Sequence, residues 1–287
     1  MGTSASSSGP GSGVPFDPPW LDNIAPALPG EGIQPANQGN GDNGNQEDNQ
    51  PNEPSQPVEQ QENAPSRRFQ NARRNLADFV RTGNQGSFRS AMGNYSRTGM
   101  GGARNVARRM RTSTKSASNL FRVLQSAREG TDPTINGWVT SLTSRNASAR
   151  EIVDEIIRFV APNGGSPEET SSQNSMAQAM EDLLEQNPNV DLLHLEDNSI
   201  WSLIESFLGY EAFTRLCLDI GQLFENSALS LVDRVFRMNE MQDYLQAELS
   251  THIERLRTQT PNAVSQQLQT VLQTAIENTF AVYEGSL

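Results

Sequence analysis

AREIVDEIIRFV, residues 149–160, is the stretch that decides the fold of this chain most clearly. Its apolar side chains recur three and four positions apart, which places them on one face of a helix. Ser148 stands where a helix cap is expected, and Pro162-Asn163-Gly164-Gly165 ends the pattern. The stretch therefore predicts an amphipathic helix that buries one face against other helices. The residues of that face are Ile152, Val153, Ile156, Ile157 and Val160.

The same periodicity continues on both sides of this helix. β-branched residues fall inside helical patterns rather than in alternating runs, so little of the chain is typical of strands. Asp132-Pro133 is typical of a helix start, and Gly209 is expected to interrupt a helix. Residues 113–287 therefore predict an all-α domain, a helical bundle or an irregular helical array. The predicted helices are 118–128, 135–142, 149–160, 166–186, 198–208, 211–224, 229–256 and a last helix opened by Thr260-Pro261.

Residues 1–66 have a different composition, rich in Gly, Pro, Asn and Gln, with nine acidic residues and no Lys or Arg. Such a segment buries too little apolar surface to offset its ordering entropy, so we expect a long disordered N-terminal tail. A few apolar residues stand out within it, at Phe16, Trp20, Leu21, Ile24 and Leu28. They are either an anchor that folds onto a partner or isolated apolar residues in the tail.

Residues 67–112 form an Arg-rich segment. Residues 67–128 carry 14 basic residues and one acidic residue, Asp78, although the whole chain has a net charge of −12. Arg104, Arg108 and Arg109 are the candidate basic patch, and Arg111 continues the helical spacing. Such a patch can bind the phosphates of a nucleic acid. Alternatively, it docks on residues 129–287 of the same chain, where 24 acidic residues face 8 basic ones.

The sequence offers little material for catalysis, and we expect a protein that is not an enzyme and has no metal or cofactor of its own. His194 and His252 have no partner at metal-ligand spacing, and Cys217 is the single cysteine. No P-loop or dinucleotide-binding motif occurs. The N-terminus lacks the features of a secretory signal, and no apolar run reaches the roughly 20 residues that span a bilayer. We therefore expect a cytoplasmic protein that does not enter a membrane.

Chemistry is still expected at the N-terminus. Gly2 is small, so we expect Met1 to be removed and the α-amine of Gly2 to be exposed. The pKa of an α-amine is about 8. Thr3, Ser4 and Ser6 can form hydrogen bonds in an extended conformation. The pattern also matches N-myristoylation, but no basic residue follows in the tail, and one acyl chain alone binds membranes weakly.

Two motifs resemble those of a known family. MGTSASSSGPGSGVPFDPPWLD (1–22) contains an MGTS start and a Pro-Pro-Trp-Leu-Asp element, and SFRSAMGNYSRTGMGGARNVARRM (87–110) combines a Tyr/Gly-rich run with a Gly-Ala-Arg-Asn segment. In this order they resemble the QatB proteins of bacterial Qat anti-phage systems. That resemblance implies a defence role beside an ATPase, a QueC-like enzyme and a TatD-like nuclease.

The resemblance also suggests roles for the N-terminal residues. QueC enzymes use ATP to activate a carboxylated 7-deazaguanine, so Gly2 is expected to be the acceptor for a 7-deazaguanine-type conjugation. The alternatives are a nucleic-acid-binding adaptor that uses residues 67–128, and a structural scaffold with a docking tail. The residues expected to thread the active site of the QueC-like partner, or to hold the tail at its surface, are Thr3, Ser4, Ser6, Gly9, Pro10, Phe16, Pro18, Pro19 and Trp20.

Overall fold

The computed structural model describes residues 67–161, 167–225, 229–259 and 265–285. The predicted disordered tail, residues 1–66, lies outside these ranges, and so does the predicted helix start at Thr260-Pro261. Within the described ranges every regular element is helical and no strand occurs, which confirms the all-α prediction.

The helices follow one another with short connections. Between α2 and α3 the chain makes a π-helical segment, Tyr95–Met100. The α-helices are α1 (Gln70–Thr82), α2 (Gln85–Asn94), α3 (Ala103–Arg109), α4 (Arg111–Glu129), α5 (Pro133–Ser144), α6 (Ala149–Val160), α7 (Pro167–Gln186), α8 (Asp197–Ile220), α9 (Gln222–Glu225), α10 (Leu231–Gln259) and α11 (Ser265–Gly285).

Two helix starts form as their sequences predict. Ser148 and Glu151 make a capping box on α6, in which the Ser148 Oγ accepts from the Glu151 backbone N–H at 3.3 Å. In return, the Glu151 carboxylate accepts from the Ser148 backbone N–H at 2.7 Å. At α5, the Asp132 carboxylate accepts from the Thr134 N–H at 2.9 Å, and Pro133 occupies the first turn. Both caps pair backbone N–H groups that have no partner inside the helix.

Two sequence-based boundaries were wrong. Gly209 does not interrupt a helix, because α8 continues without a break from residue 197 to residue 220. An isolated Gly costs a helix only about 1 kcal/mol, and here it admits a close neighbour: a Cβ on Gly209 would lie 3.1 Å from the Gln246 Cγ. The predicted helix 118–128 begins earlier, at Arg111, since its first turns bury small residues such as Ser113 and Ala117.

The core joins the Arg-rich segment to the rest of the helical region. α8 packs against α4, α7 and α10, while α11 packs against α2, α3, α4 and α10. Phe88 of α2 shows how the two parts meet, since its ring lies 5.4 Å from that of Phe79, 5.4 Å from that of Tyr244 and 5.9 Å from that of Tyr283, centroid to centroid. The boundary predicted after residue 112 falls inside α4.

Candidate functional site

Helix α8 carries three charged residues one turn apart on its buried face. Glu211 is fully buried, Arg215 is 3% exposed and Asp219 is 5% exposed. Removing a charge from water costs several kcal/mol unless partners replace the lost hydration. We call Glu211, Arg215 and Asp219 the buried charged row, and its partners come from five other elements of the fold: α1, the π-helical segment, α3, α4 and α7.

Glu211 is surrounded by serine hydroxyls. One carboxylate oxygen accepts from Ser113 at 2.5 Å and from Ser172 at 3.1 Å. The other accepts from Ser171 at 2.9 Å and from Ser175 at 3.0 Å. Ser113 belongs to α4 and the other three serines to α7. A single buried carboxylate therefore fastens three helices to one another.

Arg215 extends this cluster toward the surface. Its guanidinium lies 3.5 Å from the Glu211 carboxylate and donates to the Ser113 hydroxyl at 3.3 Å. It also donates at 3.3 Å to Glu168, whose side chain is about half exposed. Arg215 thus balances the charge of Glu211 inside the protein and connects it to the half-exposed Glu168.

Asp219 accepts hydrogen bonds from residues of the Arg-rich segment. Its carboxylate accepts from the Tyr95 hydroxyl at 2.9 Å and from Arg109 at 3.0 Å. Its backbone carbonyl accepts from Arg73 at 2.9 Å. Burial, and next the charge of Asp219, raise the pKa of Tyr95 well above its usual value. Tyr95 therefore stays protonated, and its hydroxyl donates a hydrogen bond to the Asp219 carboxylate.

The π-helical segment places Tyr95 at this position. A Cβ on Gly99 would lie 2.4 Å from the Phe69 ring, and that ring stacks on the Tyr95 ring at 5.5 Å between centroids. Gly102, which follows the segment, has a φ of 119°, a conformation that favours glycine. Gly99 therefore leaves room for the Phe69 ring, and Gly102 allows the chain to turn into α3.

The segment is also tied to the end of the described chain. The Ser96 hydroxyl donates to the Glu284 carboxylate at 2.6 Å, and Arg97 donates to the Glu284 carbonyl oxygen at 2.7 Å. Glu284 lies near the end of α11. The Tyr/Gly-rich motif thus connects α1, α8 and α11.

The structure separates the members of the predicted basic patch. Arg109 turns inward to Asp219, whereas Arg104 and Arg108 lie on the exposed side of α3. The remaining predicted site residues lie outside the described ranges: Gly2, Thr3, Ser4, Ser6, Gly9, Pro10, Phe16, Pro18, Pro19 and Trp20.

Sequence reasoning missed the buried charged row. A signal was present, because 211, 215 and 219 are four apart and interrupt a stretch that is otherwise mostly apolar, YEAFTRLCLDI. Charges at such spacing on an apolar helix indicate a buried polar face.

The arrangement is built for holding helices together. The serine hydroxyls around Glu211 are buried or half-buried and donate their hydrogen atoms to its carboxylate, so these hydrogen atoms do not serve a ligand. Burial raises the pKa of the Cys217 thiol to about 12, which leaves it protonated and a poor nucleophile. Across the described ranges, no group of three or more His, Cys, Asp or Glu residues is placed to hold a metal ion.

Of the helices in the described part of the chain, none combines the length and apolar character needed to cross a bilayer.

No curated protein and no solved structure matches the chain. The family model described as "Qat anti-phage system associated protein QatB" matches residues 101–283, which is well over half of the 287 residues. The match runs from the Gly-Gly pair of the middle motif through most of α11 and includes the whole buried charged row. This chain is thus a member of the QatB family of Qat anti-phage system associated proteins, as the resemblance of its two motifs predicted.

Proposed function

We propose that this chain is a non-catalytic component of its anti-phage system, which binds a QueC-like enzyme and presents Gly2 as the acceptor for a 7-deazaguanine-type conjugation. One observation carries the proposal: the helical body, most of which matches the family, begins at residue 67 and is preceded by 66 residues that start with Met1-Gly2. A coil of 65 residues spans on the order of 45 Å. The amine can therefore reach an active site on another protein while the body stays outside it.

The proposed reaction joins an amine to an activated carboxyl group. ATP converts the carboxylate of the 7-deazaguanine into an acyl adenylate on the partner enzyme, with release of pyrophosphate. The neutral α-amine of Gly2 attacks the carbonyl carbon, an amide bond forms, and the bond to the phosphate oxygen breaks. AMP leaves, and the amine proton passes to solvent. The chain itself contributes only the nucleophile and needs no cofactor of its own.

The tail residues have separate roles in this proposal. Thr3, Ser4 and Ser6 offer hydroxyls to the partner along an extended chain, while Gly9 and Pro10 fit a narrow channel. At the partner's surface the tail is held by a second group of residues, further from the amine. That group consists of Phe16, Pro18, Pro19 and Trp20.

The helical body serves as the docking part. Buried hydrogen bonds between helices hold the helices in fixed positions, and the four serine hydroxyls that donate to Glu211 connect α4 and α7 to α8. A rigid body gives the QueC-like enzyme a fixed surface to bind. The ATPase and the TatD-like nuclease are the other proposed partners in the system.

The test is phage protection by the complete system with Gly2→Leu. A large residue at position 2 blocks removal of Met1 and adds a side chain beside the nucleophile, so we expect protection to be lost. Ser55→Leu is the matched control, since it introduces the same side chain in the tail but outside the residues proposed to contact the partner, and it should protect like the wild type. Protection by Gly2→Leu at the wild-type level, with both proteins present in equal amounts, would rule out the acceptor role.

A nucleic-acid adaptor is the second candidate, favoured by the exposed side of α3 and α4. Arg104, Arg108, Arg111 and Lys115 are spaced four, three and four apart and are exposed or half-buried. No acidic residue occurs between Asp78 and Glu129. The four positive charges lie within twelve consecutive residues, and such a cluster can bind a phosphate backbone.

Binding to a fluorescent single-stranded oligonucleotide tests this candidate. Arg104→Glu with Lys115→Glu should weaken binding and reduce its dependence on salt, because fewer counterions are released. Arg150→Glu, an exposed charge reversal on α6, is the matched control. Equal binding by all three proteins, or no binding at low salt, would remove the candidate.

A further inference from the structure

Helix α10 begins with an exposed apolar face. Leu231 is 74% exposed, Val232 78%, Val235 56% and Phe236 57%. These residues are spaced one, three and one apart, so they cover one side of the first two turns. Single exposed apolar residues are ordinary on a protein surface, but four adjacent ones mark an interaction site. We call these four residues the α10 apolar face.

The α10 apolar face precedes the part of α10 that packs in the core. The buried residues of this helix start at Met241 and continue with Leu245, Leu249 and Ile253. Residues 231–240 therefore form about 15 Å of helix before the first buried side chain. In this part of α10 the large apolar side chains of the first two turns are exposed to solvent.

We propose that the α10 apolar face binds the same face of a second copy of this chain, with the two helices antiparallel. A two-fold interface brings one patch against itself, so the patch must be complementary to itself. The apolar residues of 231–236 are arranged symmetrically about the midpoint of that sequence, LVDRVF. In an antiparallel pair centred there, Val232 of one copy lies level with Val235 of the other. Leu231 lies level with Phe236 in the same way.

The charges near the face favour a second copy over a highly charged partner. The whole chain has a net charge of −12, so two copies repel each other on average. Residues 231–242 are locally neutral, because they contain two acidic residues, Asp233 and Glu240, and two basic residues, Arg234 and Arg237. Two copies can therefore approach through this face without net repulsion, while a nucleic acid would gain little attraction from it.

The size of the face is sufficient for a two-fold interface. At exposed fractions of 56–78%, the four side chains present on the order of 400 Å² of apolar surface. A standard protein interface covers about 800 Å² on each partner, of which about 57% is apolar. The face thus supplies most of the apolar area of one side. Asn239 and Asp243 are exposed four and eight positions after Val235, so they extend the same side with polar surface.

Pairing through α10 would place two helical bodies, and hence two chains that begin with Met1-Gly2, in one assembly. The inference goes beyond the proposed function and does not depend on modification of Gly2. Association is measured on the chain alone, so its failure would leave the acceptor role of Gly2 unaffected.

Sedimentation equilibrium of the full chain tests the pairing. We expect the average mass to rise from that of one chain toward that of two between about 1 and 100 μM, the range of a small interface. Val235→Glu should weaken association at least about tenfold, because a charge in the middle of the face loses its hydration on binding. Leu218→Glu is the matched control, since Leu218 is 57% exposed on α8, and it should associate like the wild type.

A wild-type protein that keeps the mass of one chain up to 100 μM would overturn the proposal. Equal association of the Val235→Glu and Leu218→Glu proteins would overturn it as well. Circular dichroism of each variant shows whether its helical content is unchanged, which is expected because both substituted side chains are exposed.

A pair of charged variants then tests the antiparallel arrangement. Val232→Glu with Val235→Lys places opposite charges level with each other at both ends of the pair. This protein should associate at least about tenfold more tightly than Val232→Glu with Val235→Glu, in which all four introduced charges are negative. Equal association of the two proteins would rule out the antiparallel pairing of these residues.

Discussion

Glu211 is fully buried among hydrogen-bond donors from other helices, and these surroundings make its contribution to stability measurable. Four serine hydroxyls and the Arg215 guanidinium direct their hydrogen atoms to one buried carboxylate. If the carboxylate is removed, these donors and the arginine charge stay buried without an acceptor.

We therefore expect Glu211→Ala to lower the free energy of unfolding by about 3–5 kcal/mol. Glu168→Ala removes the half-exposed partner of Arg215 and should cost about 1 kcal/mol or less. Urea unfolding of both variants provides the measurement. Similar losses for the two variants would show that burial does not set the strength of this network.

Gly99 supplies a second prediction at the residue scale, based on steric fit. A Cβ there would lie 2.4 Å from the Phe69 ring, so Gly99→Ala must displace the ring that stacks on Tyr95. Overpacking of this kind costs about 1–3 kcal/mol. Gly137→Ala on α5 is the matched control, because its Cβ would meet no atom within 4 Å.

The control should be neutral or stabilising by up to about 1 kcal/mol, since alanine favours the helix. Thermal unfolding distinguishes the two positions. A Gly99→Ala protein as stable as the Gly137→Ala protein would contradict the packing of the π-helical segment described here.

At the scale of the element, two glutamates on helices should respond to pH in opposite directions. Burial raises the pKa of Glu205 on α8, and the charge of nearby Glu254 adds to the effect. The Ser148 backbone and side-chain hydrogen bonds lower the pKa of Glu151 in the α6 capping box. A carboxyl group whose pKa is raised by folding destabilises the folded state once pH exceeds the pKa of the unfolded state. A carboxyl group whose pKa is lowered by folding stabilises the folded state at pH values above the pKa of the unfolded state.

Glu205→Gln should therefore raise Tm at pH 7, and the gain should disappear as pH falls below the unfolded pKa of about 4.3. Glu151→Gln should lower Tm at pH 7, and this loss should shrink as pH falls from about 4.3 through the lowered pKa of the folded state. Calorimetry from pH 3 to pH 7 would check both. A Glu205→Gln gain that persists unchanged at pH 3 would show that the carboxylate charge is not its cause.

The elements also show which parts of the fold local sequence determines. The caps at Ser148 and Asp132 were predicted because each cap bonds backbone groups two or three residues away. The continuity of α8 through Gly209 was not predicted, because it depends on a contact with Gln246 of α10, which is distant in sequence. The partners of the buried charged row were not predicted for the same reason. Ser113 and Glu211 are 98 positions apart, and Tyr95 and Asp219 are 124 positions apart.

At the scale of the whole molecule, residues of the Arg-rich segment contact an acidic residue of the later helices. Arg109 of the Arg-rich segment pairs with Asp219, and Arg73 bonds the same residue's carbonyl oxygen. These contacts agree with the alternative that the segment docks on the acidic part of its own chain. Arg104 and Arg108 stay on the exposed side, where a partner could reach them.

The family match and the N-terminal motif describe complementary parts of the protein. The matched residues 101–283 form most of the helical body, while the proposed chemistry lies at Gly2, outside the match. Membership in the QatB family places the chain in an anti-phage system. The acceptor role of Gly2 is the central claim that the residues of the tail support, and it has a direct test.

That test is mass spectrometry of the intact protein and its N-terminal peptide, after expression alone and together with its genomic neighbours. We expect a peptide that starts at Gly2, unmodified when the protein is made alone. With an active QueC-like neighbour, the same peptide should carry an added 7-deazaguanine group on its α-amine. An unmodified Gly2 in both samples, with the neighbour present and active, would contradict the acceptor role.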